Sequence, residues 1–132
     1  MKARFPGDVQ APAAARRWVA SSVDHLVHGW IGRRSDDLVL VVSELVTNSV
    51  RAGAASVEVE LVSAGDDVEL HVTDDAPGWP EARHPDWDEA RGRGLAIVTD
   101  VADGWHTTNL RRGKRVTVRW SGTGQDVVGH LW

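Results

Sequence analysis

The sequence predicts an α+β protein, a two-layer sandwich in which a mixed, mostly antiparallel sheet carries helices packed on one face. Three observations predict it. Stretches with a period of two come in pairs joined by short turns, at residues 57–73 and 105–120, as hairpins do. Stretches of helical length lie before and between those pairs, at residues 12–28, 35–51 and 95–102. The resulting order is weak strand, two helices, two strands, loop, helix, two strands. It groups strands with strands instead of alternating them with helices, so a doubly wound parallel sheet is not expected.

Each element has a local reason. Residues 2–5 read as a short strand stopped by Pro6-Gly7. Asp8 precedes an alanine-rich segment in which Pro12 occupies a first helical turn. There Ala14, Arg17, Trp18, Ser21, Ser22, His25 and Leu26 recur at i, i+3, i+4 spacing, and Gly29 closes the helix. Residues 30–34 are expected to form a loop, with Ser35 or Asp36 capping the second helix, which runs to Arg51 and stops at Gly53. That helix carries two stripes. Leu38, Val39, Val42, Leu45, Val46 and Ser49 form a small apolar one. Asp37, Leu40, Val41, Glu44, Thr47, Asn48 and Arg51 form the other, with polar groups at each turn.

From Ser56 the period becomes two. Val57, Val59 and Leu61 alternate with Glu58, Glu60 and Val62; after the turn Ala64-Gly65-Asp66-Asp67, Val68, Leu70 and Val72 alternate with Glu69, His71 and Thr73. Residues 79–91, rich in charge and proline, read as a surface loop. Gly92-Arg93-Gly94 then opens the third helix, ended by Asp103-Gly104. Residues 105–110 and 115–120 form a second hairpin around Arg111-Arg112-Gly113-Lys114, whose basic residues are expected to be solvated. Residues 121–132 form a tail or an added edge strand on a single domain whose core spans about 4–120.

Composition narrows the function. With 132 residues, 42% of them hydrophobic, the chain can bury one real core. A formal net charge of −4 disfavours direct nucleic-acid binding, which needs a basic face. The absence of cysteine removes disulfides and thiolate metal sites. No apolar run reaches the roughly 18 residues of a membrane span, and residues 1–6 lack the apolar core of a signal peptide, so a cytoplasmic location is expected. The six histidines show no recognised ligand spacing. Ser43 lies in no G-x-S-x-G elbow. Trp79 and Trp87 in the charged loop mark either a contact surface or ordinary partial burial.

Three segments carry chemistry. Glu44 and Asn48 are four apart and share a helix face, where a carboxylate can activate a hydroxyl and a carboxamide can ligate a hard cation; such pairs also occur on plain solvated faces. Asp74 ends a strand and can accept a hydrogen bond from an exocyclic amine, while Gly78 lets backbone approach a flat ring; the same residues also make ordinary turns. Gly92 and Gly94 precede a helix whose free N–H groups attract phosphate, with Arg93 adding charge; a short glycine pair alone is weak. One site would use all three.

These stretches resemble the ATP-binding fold shared by gyrase, Hsp90, histidine kinases and MutL, and within it the anti-sigma-factor serine/threonine kinase branch. Residues 43–49, Ser-Glu-Leu-Val-Thr-Asn-Ser, resemble its N box. Residues 72–78, Val-Thr-Asp-Asp-Ala-Pro-Gly, resemble its D-x-G-x-G box, and residues 92–98, Gly-Arg-Gly-Leu-Ala-Ile-Val, its second glycine box. The resemblance implies ATP and Mg²⁺ as ligands. Asn48 would bind the metal and Glu44 would be the general base. Asp74 would read the adenine amine, with Gly78 beside the nucleotide. Gly92, Arg93, Gly94 and Leu95 would wrap the phosphates, under a lid at residues 79–91. Arg51, on the same stripe as Asn48, is counted with the nucleotide ligands.

The implied partners are an anti-anti-sigma (STAS-like) protein phosphorylated on serine or threonine and a sigma factor held inactive, with a homodimer as a further assembly. The alternative is a non-catalytic, nucleotide-gated protein-binding module of the same fold; a detached histidine-kinase ATP domain ranks third. Ala76 departs from the family pattern, which has glycine there, and would cost about 1 kcal/mol if the position required positive φ. The lid has Arg83 as its only internal basic residue.

Overall fold

The computed structural model describes residues 1–26, 33–76 and 95–121. Its elements are β1 (Lys2–Pro6), α1 (Ala11–Leu26), α2 (Arg33–Arg51), β2 (Ser56–Ala64), β3 (Asp67–Asp74), a helix α3 over residues 95–101, β4 (Gly104–Asn109) and β5 (Lys114–Trp120). The five strands form one sheet in the order β1-β2-β3-β5-β4, and every pairing is antiparallel. The α+β sandwich is therefore as expected, with no parallel pair among the described strands.

The period-two pattern decides which face is covered. Val57, Val59 and Leu61 lie opposite Asp74, Val72 and Leu70 across β2–β3. Leu70, Val72 and Asp74 in turn face Val118, Val116 and Lys114 across β3–β5. All these side chains are buried on one face, beneath α1 and α2. The alternate residues make the polar face, where His71 sits between Thr117 Oγ1 and Glu69 Oε1 at 3.0 and 3.1 Å.

The helices reach the sheet by small residues. α1 buries Ala11, Ala15, Val19 and Val23, one turn apart each, and α2 buries Leu38, Val42, Leu45 and Val46. The buried stripe of α1 is thus offset by one residue from the Ala14, Trp18, Ser22 rhythm. Ser22 is buried, but Trp18 is only half-buried, packed against the flank of the core. Arg16 Nη1 donates to Ser43 Oγ across that helix pair at 2.8 Å. α2 begins earlier than expected: Arg33 and Arg34 are helical, not loop. Arg34 Nη2 donates to the Ser121 carbonyl at 2.5 Å, which anchors the first turn of α2 to the end of β5.

α3 is fixed by tryptophan. Trp120 Nε1 donates to the Val101 carbonyl at 3.0 Å and Trp105 Nε1 to Thr99 Oγ1 at 2.9 Å, while Val98 enters the core. Among the described residues, no helix is long and apolar enough to cross a membrane.

Candidate functional site

The C-terminal end of α2 and the ends of β3 and β5 meet at one point, and Asp74 is at its centre. The β3 pleat turns Asp74 toward the helices, so its carboxylate is buried as Val72 and Leu70 are. A buried carboxylate must be paired or neutralised. Asp74 Oδ2 accepts from Ser49 Oγ and from Lys114 Nζ, each at 2.5 Å, and Oδ1 accepts from Ala76 N at 3.1 Å. Three elements thus converge on one side chain.

Ser49 places α2 in the site. It follows Asn48, and both are buried, at 1% and 6% exposure. Glu44, one turn earlier, is half-buried. Of the two polar residues that share this helix face, Asn48 is withdrawn from water and Glu44 only in part. Arg51 is exposed at the end of α2. Leu95, the first described residue of α3, is half-buried. Gly78, Gly92, Arg93 and Gly94, together with the loop at 79–91 that holds Arg83, Trp79 and Trp87, lie outside the described residues.

Ala76 settles one expectation. Among the described residues only glycines have positive φ, so the alanine carries no left-handed strain. It is buried at 4%, and its N–H serves as a donor to Asp74.

Asp75, between Asp74 and Ala76, binds the start of β2. Its Oδ1 accepts from Ala55 N at 2.8 Å and Ser56 N at 3.1 Å. The Ser56 N–H, with those of Ala55 and Asp75 itself, holds the carboxyl below its usual range, against a smaller opposing effect of burial.

Lys114 joins this cluster against expectation. It was expected to be solvated with Arg111, Arg112 and Arg115. Those three arginines are exposed, but Lys114 is buried at 7%. The turn occupies residues 110–113, closed by Leu110 N donating to Gly113 O, and Lys114 is the first residue of β5. The signal was present: Lys114, Val116, Val118 and Trp120 share one pleat face.

The site fits the implied ligands in its donor chemistry. Asn48 offers a hard oxygen from a buried position, as Mg²⁺ requires, and Asp74 offers a carboxylate at a strand end, as an amine requires. Lys114 complicates the second fit, because it already holds that carboxylate.

The family profile described as Histidine kinase-, DNA gyrase B-, and HSP90-like ATPase matches residues 33–124, which run from α2 past β5 and include Glu44, Asn48, Asp74 and Lys114. Among solved structures, the chain is similar to the histidine kinase domain from the Erythrobacter litoralis EL346 blue-light activated histidine kinase. The two are 21% identical with a TM-score of 0.50, over 88% of this chain and 63% of that one. At this identity the likeness is one of fold, and the chain spans less than two thirds of that domain. No curated protein matches the chain.

Proposed function

The chain belongs to the histidine kinase-, DNA gyrase B- and HSP90-like ATPase family, and on that premise we propose that it is an ATP- and Mg²⁺-dependent protein kinase acting on a serine or threonine. The observation that carries the reading is the joining of α2 to the end of β3: Ser49 bonds Asp74, and on the same helix Asn48, the residue before Ser49, is buried, with Glu44 one turn earlier. Ser49 and Asp74 belong to two separate sequence motifs, and the hydrogen bond between them supports reading the motifs as one site.

Roles follow from the chemistry. Asn48 would hold the metal through its carboxamide oxygen, and Mg²⁺ when bound would neutralise charge on the phosphates. Asp74 orients the base. Glu44, half in solvent, accepts the proton of the acceptor hydroxyl as its oxygen bonds to the γ-phosphorus and the bridging oxygen leaves with ADP. The choice of an anti-anti-sigma (STAS-like) protein as acceptor, and of a sigma factor as the sequestered partner, rests on the likeness of residues 43–49, 72–78 and 92–98 to that branch.

Calorimetric titration of Mg-ATP into the wild type, Asn48→Ala and Asp74→Asn tests the site. Binding is expected in the wild type, at least tenfold weaker in Asp74→Asn, and lost or magnesium-independent in Asn48→Ala. A wild-type chain that binds no ATP at millimolar concentration sinks the reading. Glu44→Gln separates transfer from binding: ATP affinity should stay within about threefold, while phosphotransfer to a serine-bearing partner falls by about 10²-fold or more.

A second reading is a nucleotide-gated binding module without turnover. The Lys114–Asp74 ion pair favours it, since that pair opposes ready nucleotide entry. Retained binding with no transfer to any partner, and partner binding indifferent to Glu44→Gln, would select it.

A further inference from the structure

We propose that Lys114 is a resident stand-in for the nucleobase amine, so that the pocket is self-liganded and a nucleotide enters only by displacing the lysine side chain. This rests on the nucleotide reading of Asp74. The side chains of Lys114 and Asp74 are 9% and 1% exposed, and the strand register sets the two residues directly opposite. A carboxylate offers about four acceptor positions. Lys114 Nζ, Ser49 Oγ and Ala76 N take three of them. An arriving amine therefore finds the carboxylate nearly satisfied and a like donor already in place.

Space leads to the same conclusion. Among the described residues, the cavity lined by Ala52, Asp74, Ala76, Gly113 and Lys114 is too narrow to seat a water molecule. Of these residues only Lys114 has a long, flexible stem. The backbone beside it cannot yield: a Cβ on Gly113 would stand 1.9 Å from the Asp74 carbonyl oxygen, so β5 and β3 are already in close contact there. Opening must come from rotation of the lysine side chain, which carries its ammonium away from Asp74.

Two consequences separate this gate from a plain structural ion pair. Removing the ammonium should tighten nucleotide binding, whereas loss of a base-contacting lysine would weaken it. The ligand's own amine should also matter more once Lys114 is gone, because Asp74 then has a vacant acceptor to offer.

The test is calorimetric titration of Mg-ATP, and of the Mg complex of purine riboside 5′-triphosphate, which lacks the amine. The proteins are the wild type and Lys114→Thr, whose side chain vacates the space. Lys114→Met, which keeps most of the apolar stem without the charge, serves if Lys114→Thr loses its circular dichroism signature. The variant is expected to bind Mg-ATP at least tenfold more tightly than the wild type and to prefer it over the amine-free analogue by at least fivefold, more than the wild type does. Equal or weaker Mg-ATP binding by the variant overturns the proposal while leaving the nucleotide site standing. Absence of binding by wild type and variant alike overturns the nucleotide reading, and the gate with it.

Discussion

Asp74 and Asp75 are adjacent carboxylates with opposite surroundings, and the pleat decides which is which. Asp74 points to the core and meets an ammonium; Asp75 points outward and gathers the backbone N–H groups of Ala55 and Ser56. Asp75→Ala leaves those donors to water and is expected to cost about 0.5–1.5 kcal/mol at pH 7, solvent screening keeping it modest, read by urea unfolding. Its folded pKa is lowered, so its contribution is present above the unfolded value of about 3.9 and is lost as pH falls through the lower folded value. The gap between wild type and Asp75→Ala should therefore narrow below about pH 4; a gap that widens there would refute this account. At this scale the sequence was legible for Asn48 and Asp74, because helical spacing and strand termination fix where such side chains sit. It was not legible for Lys114. A lysine beside three arginines resembles a solvated run, and only an accurate turn boundary shows that it starts a buried pleat face.

Turns decide how well elements meet. Gly113 has φ 85° and Gly65 has φ 65°, both in hairpin turns. They differ in surroundings: nothing lies within 4 Å of a Cβ placed on Gly65, while one on Gly113 strikes the Asp74 backbone. Gly65→Ala is expected to cost about 1–2 kcal/mol from backbone strain alone. Gly113→Ala should cost clearly more and should disturb the Asp74 site, seen as a lower denaturation midpoint and weaker nucleotide binding. Equal losses for the two variants would show that the close approach at Gly113 is unimportant. The element order was legible because period two and period 3.6 are distinct along this chain, and the strands of β2 and β3 were found nearly to the residue. The start of α2 was missed by two residues, since Arg33 and Arg34 carry no capping signal. The stripe of α1 was missed by one position, since alanine, serine and tryptophan share both faces and hydrophobicity alone does not rank them.

For the molecule as a whole, the sheet order was beyond the sequence. Hairpins predict β2 beside β3 and β4 beside β5, but nothing local says that β5, and not β4, pairs with β3. That pairing is what sets Asp74 opposite Lys114. Because the site draws on α2, β3 and β5 together, a bound nucleotide should protect all three at once. Hydrogen exchange with and without Mg-ATP is expected to slow the amides of residues 48–53, 74–76 and 113–115 in concert, and a ligand at one hundred times its Kd should add about 2.7 kcal/mol of stability. Slowing confined to one of these segments would mean that they do not form a single site.

Strand β5 is the last described strand in the chain, yet it lies inside the sheet, between β3 and β4. During biosynthesis this order has a cost. Asp74 is polymerised 40 residues before its cation, which at typical translation speeds is about 2–8 s. Throughout that interval β3 has an unpaired edge, and β4, once made, has no neighbour to join. A message that stalls or is cut between the codons for Asn109 and Lys114 would release a polypeptide with a ready template for intermolecular strand pairing. Such a product should precipitate or be captured by chaperones, while one extended through Trp120 closes its own sheet.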